Sequence, residues 1–124
     1  MKLTTEIDKK NNLRIHTVDG PLDFKALQRI LKETYSSQDY NSDMSVLWDI
    51  RKSDLSSFTS AQIQEIKNLV KKQWGTGGMS RAAIVVSRDI DYGLTRMYEL
   101  ISSEETKSEI RVFREYPEAV QWLK

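Results

Sequence analysis

The sequence predicts an α/β fold with a five-stranded mixed sheet, in the order β-β-α-β-α-β-α-β-α. Ser45–Arg51 and Arg81–Val86 are almost continuously apolar, which is typical of strands covered on both faces. The longer segments that separate such runs carry apolar residues at helical spacing. Strict alternation of strands and helices after an opening hairpin favours a mainly parallel sheet, and we expect residues 1–124 to form one domain.

The opening hairpin is predicted by two alternating segments, residues 3–8 and 13–18, joined by a polar turn. We expect it at one edge of the sheet, with one side facing solvent. His16, the only histidine of the chain, falls on that wetter side. Because the chain offers no second histidine or cysteine, a surface residue is favoured over a catalytic base or a metal ligand.

The first two helices are indicated by their capping residues. Asp23 can cap the first helix, and Thr59 with Gln62 forms the capping-box pattern of the second, which Gly75 is expected to end. Gly75–Gly78 is glycine-rich but closes a helix instead of opening one, so a flexible connection is favoured over a phosphate loop. The residues expected to face inward are Phe24, Leu27, Ile30, Leu31 and Tyr35 in the first helix and Ile63, Ile66, Leu69 and Val70 in the second.

The last part of the chain repeats this alternation. Asp89 or Asp91 can cap a third helix, and residues 104–109 form a charged loop. Ile110–Phe113 is a short strand, and Pro117 belongs in the first turn of a final helix. The third helix is expected to turn Leu94, Met97, Tyr98 and Ile101 inward.

Composition excludes several classes of function. The net charge is +1, which leaves no electrostatic footprint for nucleic acid or for an anionic membrane. The chain has no cysteine, so it cannot form disulfides or zinc–cysteine sites, and a reducing, cytoplasmic compartment is favoured. No apolar run approaches the roughly 20 residues that span a bilayer, so we expect no integral membrane segment.

Three stretches of the chain, 46–56, 81–100 and 111–123, carry a resemblance to a known family. Their order and spacing resemble the SpoIIAA-like fold, which STAS anti-sigma-factor antagonists share with lipid-binding SEC14 domains. The closer likeness is to small bacterial SpoIIAA-like proteins described as STAS/SEC14 domain-containing. The resemblance implies a non-enzymatic regulatory or protein-interaction module, or alternatively a carrier of a small apolar or lipid-like ligand.

The same resemblance implies a place to look for phosphorylation. In the anti-sigma-factor antagonists a serine is phosphorylated where the helix after the third strand begins, and the matching residues here are Ser56 and Ser57. This segment lacks the glycine of the family pattern, and the bulky Phe58 follows the serines. A phosphate at a helix N-terminus would meet free N–H groups, but turn and cap residues are favoured over a regulatory site.

The candidate binding surface is the rim formed by the loops Arg51–Thr59 and Ser87–Arg96, where open α/β sheets place their ligands. Asp49 interrupts an apolar strand, and an ion pair with Arg51 or Arg81 is favoured over a catalytic base. Arg96 could hold an anion, or pair with Asp91 or Asp89. The residues assigned to the rim are Asp49, Arg51, Ser56, Ser57, Thr59, Asp91, Tyr92 and Arg96.

Two further patterns have an ordinary structural explanation. Lys67, Lys71 and Lys72 form a basic stripe on the second helix, for which a solvated face is favoured over a binding patch. Aromatic residues and methionines are expected to fill the core, although a cavity beneath Met97 and Tyr98 stays open as an alternative. The residues concerned are Phe24, Trp48, Trp74, Met97, Tyr98, Phe113 and Trp122.

From these patterns we expect a binding module with a protein partner, and as the alternative a carrier of an apolar ligand. No spacing of carboxylates, serines or arginines demands catalysis, so we assign no catalytic residue, metal or cofactor.

Overall fold

A computed structural model describes residues 1–40, 43–74, 81–103 and 109–124. Its elements follow the predicted order, and the predicted α/β fold is confirmed. The bounds are β1 Lys2–Asp8, β2 Leu13–Pro21, α1 Phe24–Tyr35, β3 Ser45–Asp54, α2 Ser60–Trp74, β4 Arg81–Val85, α3 Asp89–Ser103, β5 Glu109–Phe113 and α4 Tyr116–Leu123. The glycine-rich connection at 75–78, the helix end at Gly75, the side chain of Trp74 and the charged residues 104–108 lie outside the described part.

The five strands form one mixed sheet in the order β1-β2-β3-β4-β5. The hairpin β1–β2 is antiparallel and lies at one edge, as predicted, and the other neighbours are parallel. Consecutive residues of β3 point to opposite faces, so Leu47 and Trp48 belong to different layers of the core. Helices α1, α2 and α3 cover the Trp48 face, whereas α4 packs on the Leu47 face against β3, β4 and β5.

The caps that the sequence predicts for the first two helices are present. The Ala26 N–H donates to Asp23 Oδ1 at 2.8 Å at the start of α1. At α2, Thr59 N–H donates to Gln62 Oε1 and Gln62 N–H donates to Thr59 Oγ1, both at 3.1 Å. Pro117 lies in the first turn of α4. These local signals were readable because each depends on residues three or four positions apart.

The predicted solvent-facing side of β2 is wrong. His16 is 1% exposed and Arg14 6% exposed, so both are buried together with Val18 on the side that was expected to be wet. The reason is that β2 lies between β1 and β3, and α1 covers this side. Solvent instead reaches the edge strand β1, most of whose residues are exposed.

Two helix predictions also need correction. Lys67 is 4% exposed, not part of a solvated stripe, because it lies four residues after Ile63 and three before Val70, on the buried face of α2. Helix α3 begins at Asp89, and the Tyr92 N–H donates to the Arg88 carbonyl. Neither Asp89 nor Asp91 therefore precedes the helix as its cap.

Candidate functional site

The two predicted rim loops meet at the C-terminal ends of β3 and β4. The Ser87 hydroxyl donates to the Arg51 carbonyl at 2.7 Å. Arg88 Nη1 lies 3.1 Å from Asp54 Oδ1, and this ion pair joins the same two loops. The rim is therefore one connected surface, built by the parallel pairing of β3 with β4.

Asp91 is buried under the rim and connects its two loops. Its side chain is 1% exposed, and its Oδ1 accepts a hydrogen bond from the Leu55 N–H at 3.0 Å. Its Oδ2 lies 3.8 Å from Arg88 Nε. Asp91 was predicted on the accessible rim, but it is buried and holds the loop after β3 against α3.

Asp49 forms the ion pair that its position in an apolar strand predicted. Arg51 donates from Nε and Nη2 to the two carboxylate oxygens of Asp49, both at 2.8 Å. Burial alone would raise the pKa of Asp49, but the bonds from Arg51 outweigh it and lower that pKa. The alternative partner Arg81 instead donates to the Trp122 carbonyl at 2.9 Å. Asp49 and Arg51 thus form a two-residue ion pair within β3.

Arg96 and Tyr92 are engaged in contacts that the sequence did not predict. Arg96 Nη1 lies 2.6 Å from Glu99 Oε1, so the predicted pairing with Asp91 or Asp89 is wrong. The guanidinium of Arg114 lies 4.8 Å from the centre of the Tyr92 ring. Sequence reasoning missed both contacts. The pairing of Arg96 with Glu99 was readable, since the two residues are three positions apart on one helix, whereas Arg114 and Tyr92 belong to segments distant in the chain.

Ser56, Ser57 and Thr59 are exposed at the start of α2. The Ser56 N–H donates to Asp54 Oδ1 at 2.9 Å, which is the turn that was expected of this segment. The hydrogen bonds from Ser56, aided by Arg88, lower the pKa of Asp54. Phosphorylation of Ser56 or Ser57 stays a prediction.

A cavity of about 110 Å³ lies between helices α1, α2 and α3 and the sheet, and we call it the helix-side cavity. Tyr98 lines it, as the alternative prediction required, but Met97 does not. With the exception of Thr95 and the Tyr98 hydroxyl, its lining is apolar. The lining residues are Leu22, Leu27, Leu31, Trp48, Ile50, Leu55, Phe58, Ile63, Ile66, Val70, Ile84, Leu94, Thr95 and Tyr98.

A second cavity of about 60 Å³ adjoins the first, and we call it the arginine cavity. The two share Leu31, Trp48, Val70, Ile84 and Tyr98 as lining residues. The other lining residues of the arginine cavity are Arg14, His16, Thr34, Tyr35, Tyr40, Met44, Ser45, Val46 and Ala82. The sequence did not predict this cavity, because the alternating pattern of β2 was interpreted as placing Arg14 and His16 on the solvent-facing side. The one signal in the sequence was the prediction of a hairpin at the sheet edge, because only one strand of such a hairpin can be the outermost strand.

His16 is held as a neutral ring. Thr34 Oγ1 donates its proton to the Ile30 carbonyl at 2.8 Å, so it can only accept from His16 Nε2, which lies 3.4 Å away. His16 Nδ1 then accepts from Thr5 Oγ1 at 3.0 Å. Burial, together with the charge of Arg14, lowers the pKa of His16 to about 4. Both ring nitrogens are occupied, which leaves no lone pair for a general base.

Two other kinds of site were sought in the described part of the chain. Across residues 1–40, 43–74, 81–103 and 109–124, no three histidine, aspartate or glutamate side chains gather as metal ligands. Among the helices described in these ranges, none combines the length and the apolar composition that crossing a membrane requires.

Comparison with known proteins gives a consistent result for the fold. A family model described as SpoIIAA-like matches residues 15–124. The chain is also similar to the crystal structure of an uncharacterized protein from the DUF3478 family with a SpoIIAA-like fold, from Shewanella loihica PV-4. That structure superposes with a TM-score of 0.60 at 18% identity, over 99% of this chain and 93% of the other. No curated protein matches the sequence.

Proposed function

The chain belongs to the SpoIIAA-like family, and on this premise we propose that it is a non-enzymatic binding protein that holds a small apolar ligand in the helix-side cavity. The proposal treats residues 1–124 as one domain. It ranks the apolar carrier above the protein-interaction module that the sequence favoured. The observation that carries it is the cavity itself.

The lining of the cavity supports an apolar ligand. A ligand that fills this space would supply the packing contacts that the lining side chains lack on that side. An engineered cavity of about 150 Å³ with a similar apolar lining stays dry and binds benzene. The rim has fewer groups available to bind a ligand, because Asp49, Asp91 and Arg96 already pair with other residues of the chain.

The first prediction is that 1-hexanol binds to the wild-type protein and that Val70→Phe weakens this binding at least tenfold. Val70 lines the cavity and is 7% exposed, so a larger ring there occupies the space of the ligand. Affinity is measured by titration calorimetry, with chemical shifts in an amide NMR spectrum locating the site.

Leu100→Phe is the matched control, because Leu100 is 54% exposed on α3 and does not line the cavity. We expect this variant to bind as the wild type does. Equal affinity of Val70→Phe and wild type would contradict the proposed site.

A second candidate function, docking of a protein partner on the rim, is favoured by one observation. Ile90 is 50% exposed at the start of α3, beside loops that hydrogen bonds and an ion pair hold together. In an interface with a partner, Ile90 would supply the apolar contact and the polar groups of the loops would form its margin. Ser56, Ser57 and Thr59 would lie at its margin, and the cytoplasmic location indicated by a cysteine-free sequence belongs to this proposal.

We expect Ile90→Asp combined with Ser57→Glu to abolish recovery of a partner in a pull-down from cells of the source organism. The added charges would oppose burial of this surface by a partner. Leu100→Asp is the control, since it alters an equally exposed apolar residue at the other end of α3. The same proteins recovered with wild type and with the double variant would remove the rim from consideration.

A further inference from the structure

Arg14 is a buried charged residue for which the described part of the chain shows neither an ion pair nor solvent contact at Nε and Nη2. It lies on β2, is 6% exposed, and lines the arginine cavity. Its Nε and Nη2 atoms are buried, and the structure as described gives them no hydrogen-bond partner. A guanidinium keeps its charge in proteins, so burying these donors without an acceptor is costly.

The described residues around Arg14 include hydrogen-bond donors but no carboxylate in the lining of the cavity. None of the described residues that line the arginine cavity is acidic. The Tyr40 hydroxyl is buried there and is likewise without a partner among the described residues. Burial raises the pKa of Tyr35 and of Tyr40, so both phenols keep their protons, and His16 is neutral.

The free edge of Arg14 has a counterpart elsewhere in this protein. At the ion pair on β3, Arg51 uses Nε and Nη2 to hold both oxygens of the Asp49 carboxylate at 2.8 Å. Arg14 leaves the same two atoms free. The parallel N–H groups of this edge match the two oxygens of a carboxylate, which makes the pairing geometrically specific as well as charged.

We infer that Arg14 and Tyr40 form the head-group site for a small monocarboxylic acid, whose apolar body extends past Trp48 and Tyr98 into the helix-side cavity. This inference rests on the proposed function and names its ligand class. Arg14 Nε–H and Nη2–H donate to the two carboxylate oxygens, and the Tyr40 hydroxyl donates to one of them. The volumes of 60 and 110 Å³ suit a body of roughly six carbons.

A purely structural role for Arg14 makes the opposite prediction about stability. If Arg14 supported the fold, then Arg14→Met would destabilise the ligand-free protein. If Arg14 awaits an anion, the methionine removes an uncompensated charge while keeping much of the apolar stem, and the melting temperature is unchanged or raised.

The experiment compares two probes with the same six-carbon body, hexanoate and 1-hexanol, by titration calorimetry at pH 7. We expect hexanoate to bind the wild type at least tenfold more tightly than 1-hexanol. Arg14→Met should remove this preference and keep the affinity for 1-hexanol. Tyr40→Phe, which deletes one hydroxyl, should weaken hexanoate binding severalfold, whereas Arg29→Met, at an exposed position on α1, should bind both probes as the wild type does.

The outcomes separate this inference from the proposed function. Binding of 1-hexanol without a preference for hexanoate, or a preference that survives in Arg14→Met, overturns the head-group site and leaves the apolar carrier standing. A lower melting temperature of Arg14→Met also overturns the head-group site in favour of a structural role. Failure of both probes to bind the wild type overturns both proposals.

Discussion

Lowering the pH from 7 to 4 is expected to remove about 3 kcal/mol from the free energy of unfolding through His16 alone. The unfolded chain protonates this ring near its ordinary pKa of 6.5, whereas the folded protein keeps it neutral until about pH 4. The unfolded state therefore binds the proton first. The stability due to neutral His16 is complete above pH 6.5, falls between pH 6.5 and 4, and levels off below.

The cause is the closed environment of the ring. His16 stacks on Trp48 with 4.3 Å between ring centres, and two threonine hydroxyls occupy its nitrogens. Protonation would place a second positive charge beside Arg14 in a space without an acidic lining residue among those described. The imidazolium would lose its solvation, and the Thr5 hydroxyl, which would then accept from Nδ1–H, carries no negative charge to compensate it.

Urea unfolding at pH 7, 5.5 and 4 measures this effect, with His16→Gln as the matched variant. Other groups titrate over the same range, so the informative quantity is the difference between the two proteins. Glutamine keeps a donor and an acceptor but does not titrate, and its loss of stability should be smaller by about 3 kcal/mol. Parallel curves for the two proteins would contradict the burial of a neutral His16.

Asp91→Ala is expected to lower the free energy of unfolding by about 3 kcal/mol. The alanine leaves the buried Leu55 N–H without its acceptor and removes the carboxylate of α3 that pairs with Arg88 at 3.8 Å. The loop after β3 would then lose its attachment to α3. Faster hydrogen exchange at the Leu55 amide is expected together with the loss of stability.

Two variants serve as controls for this result. Asp89→Ala changes an exposed carboxylate in the same turn of α3, whose side chain is 92% exposed beside Arg114, and should change stability little. Asp91→Asn keeps an oxygen for the Leu55 N–H and should fall between alanine and wild type. An equal loss for Asp89→Ala and Asp91→Ala would show that the buried hydrogen bond contributes nothing particular.

Sequence patterns predicted the parts of the fold that depend on near neighbours along the chain. The capping box of Thr59 and Gln62 and the cap at Asp23 are of this kind, and so is the alternation that sets the element order. The pairing of Asp49 with Arg51 could also be predicted, since residues two positions apart on a strand point to the same face of the sheet.

The candidate site depended on contacts between distant segments, and the sequence predicted much less of it. Whether Arg14 and His16 face water depends on α1 crossing β2, and the pattern of β2 alone suits either outcome. The partner of Asp91 is a backbone N–H that lies thirty-six positions away. A cavity depends on how the helices pack on the sheet, so no residue type in the sequence predicts its presence.

The two faces of the sheet are packed differently. On the α4 side, Leu47, Ala83, Val85 and Ala119 have small or branched side chains and are 0% exposed. Both cavities open on the opposite side, under α1, α2 and α3. Under the proposed function, substitutions among the cavity-lining residues would change which ligand is accommodated, while the α4 layer would keep the sheet in place.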